Sequence, residues 1–183
     1  MRRCLALAST AADNGDTAVG ALVVRGDSVI GEGTESTRRL IDPSAHAEVM
    51  ALRAACQHEG TLVLTGCELY TTVEPCVLCS FAIRRTGITG VVFGIAAGQA
   101  GGVTSKHSVL TDDELIGFHP PPAIVSGVLA PQCFAALNGD ARTNLNEATW
   151  RTCLALRGHH SSSDANAHIY DPFGVFRGMR LKL

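Results

Sequence analysis

Between Arg3 and Asp13 apolar and polar residues recur at helical spacing and stop at Asn14-Gly15, a turn signal, which predicts a helix over 3–13. Ala18–Arg25 is a short β-branched run that turns at Gly26-Asp27 into Ser28–Gly33, the pattern of a β-hairpin. A polar loop with Arg38, Arg39 and Asp42-Pro43 follows, and Ser44 is placed to cap an alanine-rich helix from Ala45 to His58. Cys67–Val73 alternates as a buried strand, Pro75 opens a second helix running to about Arg85, and Gly90–Gly94 forms a third apolar strand. The connection from Ile95 to Pro122 carries Gly101-Gly102, Asp112-Asp113 and three consecutive prolines; connections this long are functional or disordered. Ala123–Leu129 predicts a further strand, and Pro131 to about Arg157 a helix broken near Asn138-Gly139.

Strands alternating with helices of this length predict an α/β sandwich on one mixed sheet. With 183 residues, 46% of them hydrophobic, the chain suits one domain with a sizeable core over 1–157, followed by a tail over 158–183 that packs on the body or on a partner subunit. A net charge of −2 argues against a nucleic-acid partner, whose footprint is a strongly basic surface. No apolar run reaches the roughly 18 residues of a membrane span, so a membrane partner is not expected, and the opening Met1-Arg2-Arg3 leads into an amphipathic stretch instead of a signal peptide. The expected location is cytoplasmic. Cysteines number seven, an odd count, and only Cys76 and Cys79 have ligand spacing; the other five read as buried or idle thiols.

Two segments carry chemistry: His46-Ala47-Glu48 and Pro75-Cys76-Val77-Leu78-Cys79. One histidine and two cysteines form a three-ligand zinc site whose fourth tetrahedral position is open to water, the mark of a catalytic centre. Cys76 and Cys79, at i and i+3, share a helix face. In the first helical turn the helix dipole favours their thiolates. His46 and Glu48 would not share a face in mid-helix, but at a helix N-terminus approached end-on both reach one small site. Zinc acidifies its water toward pH 7. Glu48 would shuttle the proton, with a carboxyl pKa raised in the closed pocket. Each motif alone is weak; together and in this order they match the signature of zinc deaminases.

The stretch from Val19-Gly20-Ala21 to Asp42-Pro43-Ser44-Ala45-His46-Ala47-Glu48, with Leu69 to Cys79, resembles the cytidine deaminase-like superfamily over roughly residues 3–95. Within it the chain is similar to the branch of guanine deaminases, cytosine deaminases and tRNA adenosine deaminases. The resemblance implies a three-layer α/β/α sandwich with a five-stranded mixed sheet, a homodimer with active sites near the interface, and zinc-dependent loss of ammonia from an amino-heterocycle. A small-molecule base is the leading expectation; the alternative is adenosine in tRNA, kept open by Arg84-Arg85 and the basic last residues. A third reading uses the zinc for structure alone, against which Glu48 stands.

The family pattern places a ring-binding asparagine eleven residues before the histidine; here that residue is Glu35. An ionised glutamate only accepts hydrogen bonds, so it would select a ring presenting an N–H or a second amino group; alternatively it turns outward to Arg38 or Arg39. Ala47, Thr72 and Val73 would line the ring through their backbone, and Glu74 would bond the backbone near the zinc loop. Asp112 and Asp113 read better as a solvated loop than as a grip on the leaving amine. Trp150, Tyr170, Phe173 and Phe176 read better as packed than as a lid.

Overall fold

The computed structural model describes residues 1–139 and the backbone of 168–170. Its order is α1 (Arg2–Asp13), β1 (Gly20–Arg25), β2 (Ser28–Thr34), α2 (Thr37–Leu40), α3 (Ala47–Glu59), β3 (Cys67–Val73), α4 (Val77–Thr86), β4 (Gly90–Ile95), β5 (Ala123–Ser126), α5 (Ala130–Asn138) and β6 (His168–Tyr170), with one 3-10 turn at Gly98–Ala100. The sheet runs β2-β1-β3-β4-β5-β6. β1 is antiparallel to both neighbours, β3, β4 and β5 are parallel, and β6 is antiparallel to β5. The five expected strands are present, and β6 adds a sixth, three-residue strand at the edge.

Side chains alternate across each strand and divide the interior into two halves. Ala21, Val23, Cys67, Leu69, Val91, Phe93 and Ile124 pack with α3 and α4 on one face. Leu22, Val24, Tyr70, Val92 and Val125 pack with Cys4 of α1 and Cys133 of α5 on the other. This is the expected α/β/α sandwich. No helix among the described residues is long and apolar enough to cross a membrane.

The helix that carries the first motif lies unusually close to the sheet. Alanines at 47, 51 and 55 form a small-residue stripe on α3, and β2 answers with glycines at 31 and 33. A Cβ on Gly31 would meet Ala51 O and the Ala55 nitrogen; one on Gly33 would meet Ala47 O and the Ala51 nitrogen. Backbone therefore packs directly on backbone there, which only glycine allows. Both site helices end at glycines in the left-handed region, Gly60 with φ 65° and Gly87 with φ 74°.

Among the element boundaries that differ from the sequence expectation, three have a visible cause or consequence. α3 starts at Ala47 instead of Ala45, because Ser44 does not cap it: its N–H and hydroxyl both donate to Asp42 Oδ1, at 2.8 and 2.7 Å. The helix cap is His46 itself, in extended conformation. Likewise α4 starts at Val77 with Cys76 as its extended cap, so Pro75 lies just outside the helix. The last long strand stops at Ser126, where Gly127 turns with φ 85°. The expected helix beyond residue 139, Cys153, Trp150, Phe173 and Phe176 lie outside the described residues.

Candidate metal and catalytic centre

The caps of α3 and α4 face each other across the carboxyl end of β3. His46 Nδ1 stands 3.7 Å from Cys76 Sγ, and Cys76 Sγ stands 3.7 Å from Cys79 Sγ. The three donor atoms all lie within 4.8 Å of one another, the spread of a set converging on one ion. The donor chemistry fits zinc: two sulfurs and one imidazole nitrogen, with a fourth direction left to a non-protein ligand. The Cys76 thiol is pulled down to about 4, first through its hydrogen bond with Cys79 and then through His46. His46 is drawn up to about 9, chiefly by its hydrogen bond to Cys76. The bond to Cys76 and burial push Cys79 strongly upward. Two thiolates this close stay deprotonated together only around a cation, which is the role the site is shaped for.

Glu48 is the second residue of α3 and 4% exposed. Its Oε1 accepts from the Thr71 hydroxyl at 2.8 Å, and its Oε2 lies 3.3 Å from Cys79 Sγ. Burial, the largest influence, raises its carboxyl above the ordinary range, opposed by the bonds from Thr71 and Cys79. The direction is the one expected from sequence, and its cause is desolvation. Thr71 is the residue that sequence reasoning missed. The signal was available in the period of β3: Cys67 and Leu69 face α3, so Thr71 does too, and a fully buried hydroxyl on that face needs a polar partner.

Glu35 sits just after β2 and is 8% exposed. It does not turn outward. The Arg38 guanidinium donates to Gly15 O and that of Arg39 to Ser36 Oγ, while Glu35 Oε2 accepts the Ala47 N–H at 3.3 Å. Burial raises its carboxyl, against the pull of Thr37, His46 and the Ala47 N–H. The Ala47 N–H is thus already engaged by Glu35. Val73 ends β3 opposite Ile95, half-buried at the strand's carboxyl end, and Thr72 points to the other face, where its hydroxyl accepts from Gly20 N at 3.3 Å.

The 95–122 connection is tied down from both ends. Glu74, 2% exposed, accepts four hydrogen bonds from its near part, and Arg84, equally buried, donates to its far part: to His119 O at 3.0 Å, Val109 O at 2.8 Å and Asp112 O at 2.7 Å. Arg84 is therefore a structural clamp and offers no charge to a polynucleotide. Asp112 spends its side chain on a local turn, accepting from Glu114 N at 2.9 Å.

Residues 1–95 match the cytidine and deoxycytidylate deaminase zinc-binding region. Over 108 residues the chain is 39% identical to a tRNA-specific adenosine deaminase of Aquifex aeolicus (strain VF5), covering 59% of this chain and 72% of that protein. A solved structure from work on A-to-I editing by tRNA:A34 deaminases at the wobble position is similar with a TM-score of 0.70 and 31% identity, over 75% of this chain and 97% of that one. Guanine deaminase from Bacillus subtilis is similar with a TM-score of 0.51 and 35% identity, over 52% of this chain and 62% of that one.

Proposed function

The chain belongs to the cytidine and deoxycytidylate deaminase family, whose members are zinc-dependent deaminases, and we propose that it converts adenosine to inosine within a tRNA. The observation that carries the chemistry is the convergence of His46, Cys76 and Cys79 within 4.8 Å beside a buried Glu48. The likeness to tRNA deaminases, over most of the relatives' length, supports the choice of substrate. It moves the leading reading from a free base to the alternative expected from sequence.

His46 Nδ1 and the two sulfurs would hold the ion, which when bound supplies a Lewis acid that makes water nucleophilic at neutral pH. Glu48 is the proton carrier. Thr71 fixes its Oε1, so Oε2 is the oxygen that carries the water's two protons in turn, the first to the ring nitrogen and the second to the departing amine. Water and an exocyclic amine thereby become a ring carbonyl and ammonia. Burial suits the residue for both directions of transfer, since a carboxyl nearer neutrality gives up its proton as readily as it takes one.

A second reading, deamination of a free amino-heterocycle, is favoured by Glu35. A buried, inward-turned carboxylate where the family places an asparagine suits a ring with an N–H or second amino group. One assay separates the two: inosine formation in tRNA transcripts against ammonia release from adenine, guanine, cytosine, their nucleosides and diamino heterocycles, with Glu48→Gln as the blank. Inosine in tRNA with no release from free bases supports the first reading. Release from a free base with untouched tRNA replaces it by the second, and activity surviving in Glu48→Gln removes the mechanism.

We further propose a homodimer built on the outer faces of α3 and α4. Phe81 (53% exposed) stacks edge-on against Phe118 at 4.9 Å, and Leu62 (76% exposed) borders a groove of about 530 Å3 lined by Val49, Leu52, Cys56 and Ala82. A contiguous apolar patch of this kind marks an interface. Phe81→Glu should convert a dimer to a monomer in light scattering; a native monomer refutes the proposal. Residues 1–157 serve in this reading as the deaminase domain, and 158–183 as an appended tail that contributes β6 to the sheet edge. A cytoplasmic location accords with a tRNA substrate.

A further inference from the structure

The segment from Ala97 to Thr104 wraps around the residue that precedes the Pro-Cys-x-x-Cys motif. Glu74 Oε1 accepts from Val103 N and Thr104 N, each at 2.8 Å; Oε2 accepts from Ala97 N at 2.8 Å and from the Thr104 hydroxyl at 2.7 Å. All four partners are donors, and the carboxylate is 2% exposed. Around this knot the strap closes on the backbone of the ligand loop itself. Gly102 N donates to Pro75 O at 2.8 Å, and Gly101 forms a one-residue antiparallel bridge with Cys76. No side chain fits between: a Cβ on Gly101 would collide with the Glu74 carboxylate, and one on Gly102 with the Ser80 hydroxyl.

Cys76 needs such a brace. It is the helix cap: its carbonyl accepts the first bond of α4, from Ser80 N at 2.8 Å, but its own backbone is extended, outside the helical conformation that fixes Cys79. It is also the more exposed of the two sulfur ligands. We infer that Glu74 is a positioning residue for the metal: through the 97–104 strap it holds Cys76 in its ligating conformation and so sets how slowly zinc leaves. The strap begins 18 residues beyond Cys79 in sequence, and no contact with substrate is needed for the effect.

The inference also explains why a carboxylate stands there. Glutamine has the same length, but its NH2 would face either Val103 N–H and Thr104 N–H or the Ala97 N–H, donor against donor. Outer partners of metal ligands typically carry about 10- to 100-fold in metal affinity.

The test rests on the zinc site proposed above and reads metal release, so the substrate assignment can fail without affecting it. Zinc-loaded native protein, Glu74→Gln, Thr104→Val and Arg84→Met are mixed with a chromophoric chelator, and zinc transfer is timed; melting temperatures are recorded alongside. Arg84→Met loosens the far part of the same connection and serves as the control for general destabilisation. Release about tenfold or more faster from Glu74→Gln is expected. Thr104→Val, which removes one of the four bonds, should fall between it and the native rate, and Arg84→Met should melt earlier with a native release rate. Cobalt-loaded Glu74→Gln should also lose thiolate charge-transfer intensity as Cys76 disengages.

Native release from Glu74→Gln, or release from Arg84→Met as fast as from Glu74→Gln, overturns the inference. If Glu74→Gln does not fold, Thr104→Val decides in the same way. A native protein that retains no zinc overturns the site and the inference with it.

Discussion

Thr71 and Glu48 are joined across the boundary between sheet and helix: the threonine hydroxyl on β3 donates to Glu48 Oε1 at 2.8 Å on α3. In the proposed mechanism the bond leaves the carboxylate one oxygen to move protons with, and it restrains the upward pull of burial on that carboxyl. Thr71→Val keeps the shape and removes the donor. Glu48 should then become harder to ionise, so the acid limb of the kcat/KM profile should move to higher pH. The rate at neutral pH should fall about tenfold, short of the roughly 10²–10⁴ carried by general acid–base help as a whole. Zinc content should stay native. A pH profile that superposes on the native one would show that the hydroxyl does not act through Glu48.

Glu35 is the residue at which the two substrate readings part. Its carboxylate is held inward by the Ala47 N–H, so replacing it changes what the pocket offers a ring and leaves the surface untouched. Glu35→Asn restores a group that both donates and accepts. If the native carboxylate reads the ring, the ratio of activity on tRNA adenosine to that on diamino heterocycles should rise about tenfold or more, in line with roughly 1–3 kcal/mol for opposed acceptors. An unchanged ranking across the panel would mean that Glu35 serves only to anchor the start of α3.

The candidate metal group was legible in the sequence because its residues fall in two short motifs of rare type. His46, Cys76 and Cys79 point to a metal by identity and spacing, and they converge within 4.8 Å. The strands were legible from the β-branched run of β1, the alternation of β3 and the apolar run of β4. Boundaries at the site were not legible, because they depend on which side chain takes which backbone group: Ser44 bonds Asp42, and the two ligands His46 and Cys76 become the caps. Arg84 read as a surface charge, since nothing local tells that its three carbonyl partners are supplied 25 to 35 residues later. The partners of Thr71 and of Glu74 were hidden for the same reason: each lies more than twenty positions away.

Gly33 sets the distance between β2 and the first turn of α3. Gly33→Ala would drive a methyl group into Ala47 O, next to His46, and should cost about 1–3 kcal/mol as an overpacked contact does. Gly31→Ala makes the same kind of collision one turn further on, with Ala51 O. Both variants should melt earlier by similar amounts. Only Gly33→Ala should also lose zinc during dialysis, because it displaces the turn that bears His46 and Glu48. Equal zinc retention in the two would mean that the glycine stripe serves packing alone.

The face of the sheet opposite the metal site predicts an alkaline weakness. Cys4, fully buried with its Sγ 3.5 Å from Tyr70 O, is pushed up to about 12 mainly by burial, and Cys133 to about 11 for the same reason. In the unfolded chain these thiols ionise near 9, so the folded form binds the proton more tightly. Stability from this source is complete below pH 9. Above it each thiol should remove about 1.4 kcal/mol per pH unit, until the folded value is passed. Cys4→Ala should be less stable at pH 7, through the lost packing, yet show a shallower fall between pH 9 and 11 in denaturant titrations. Parallel slopes for native protein and variant over that interval would place the alkaline sensitivity elsewhere.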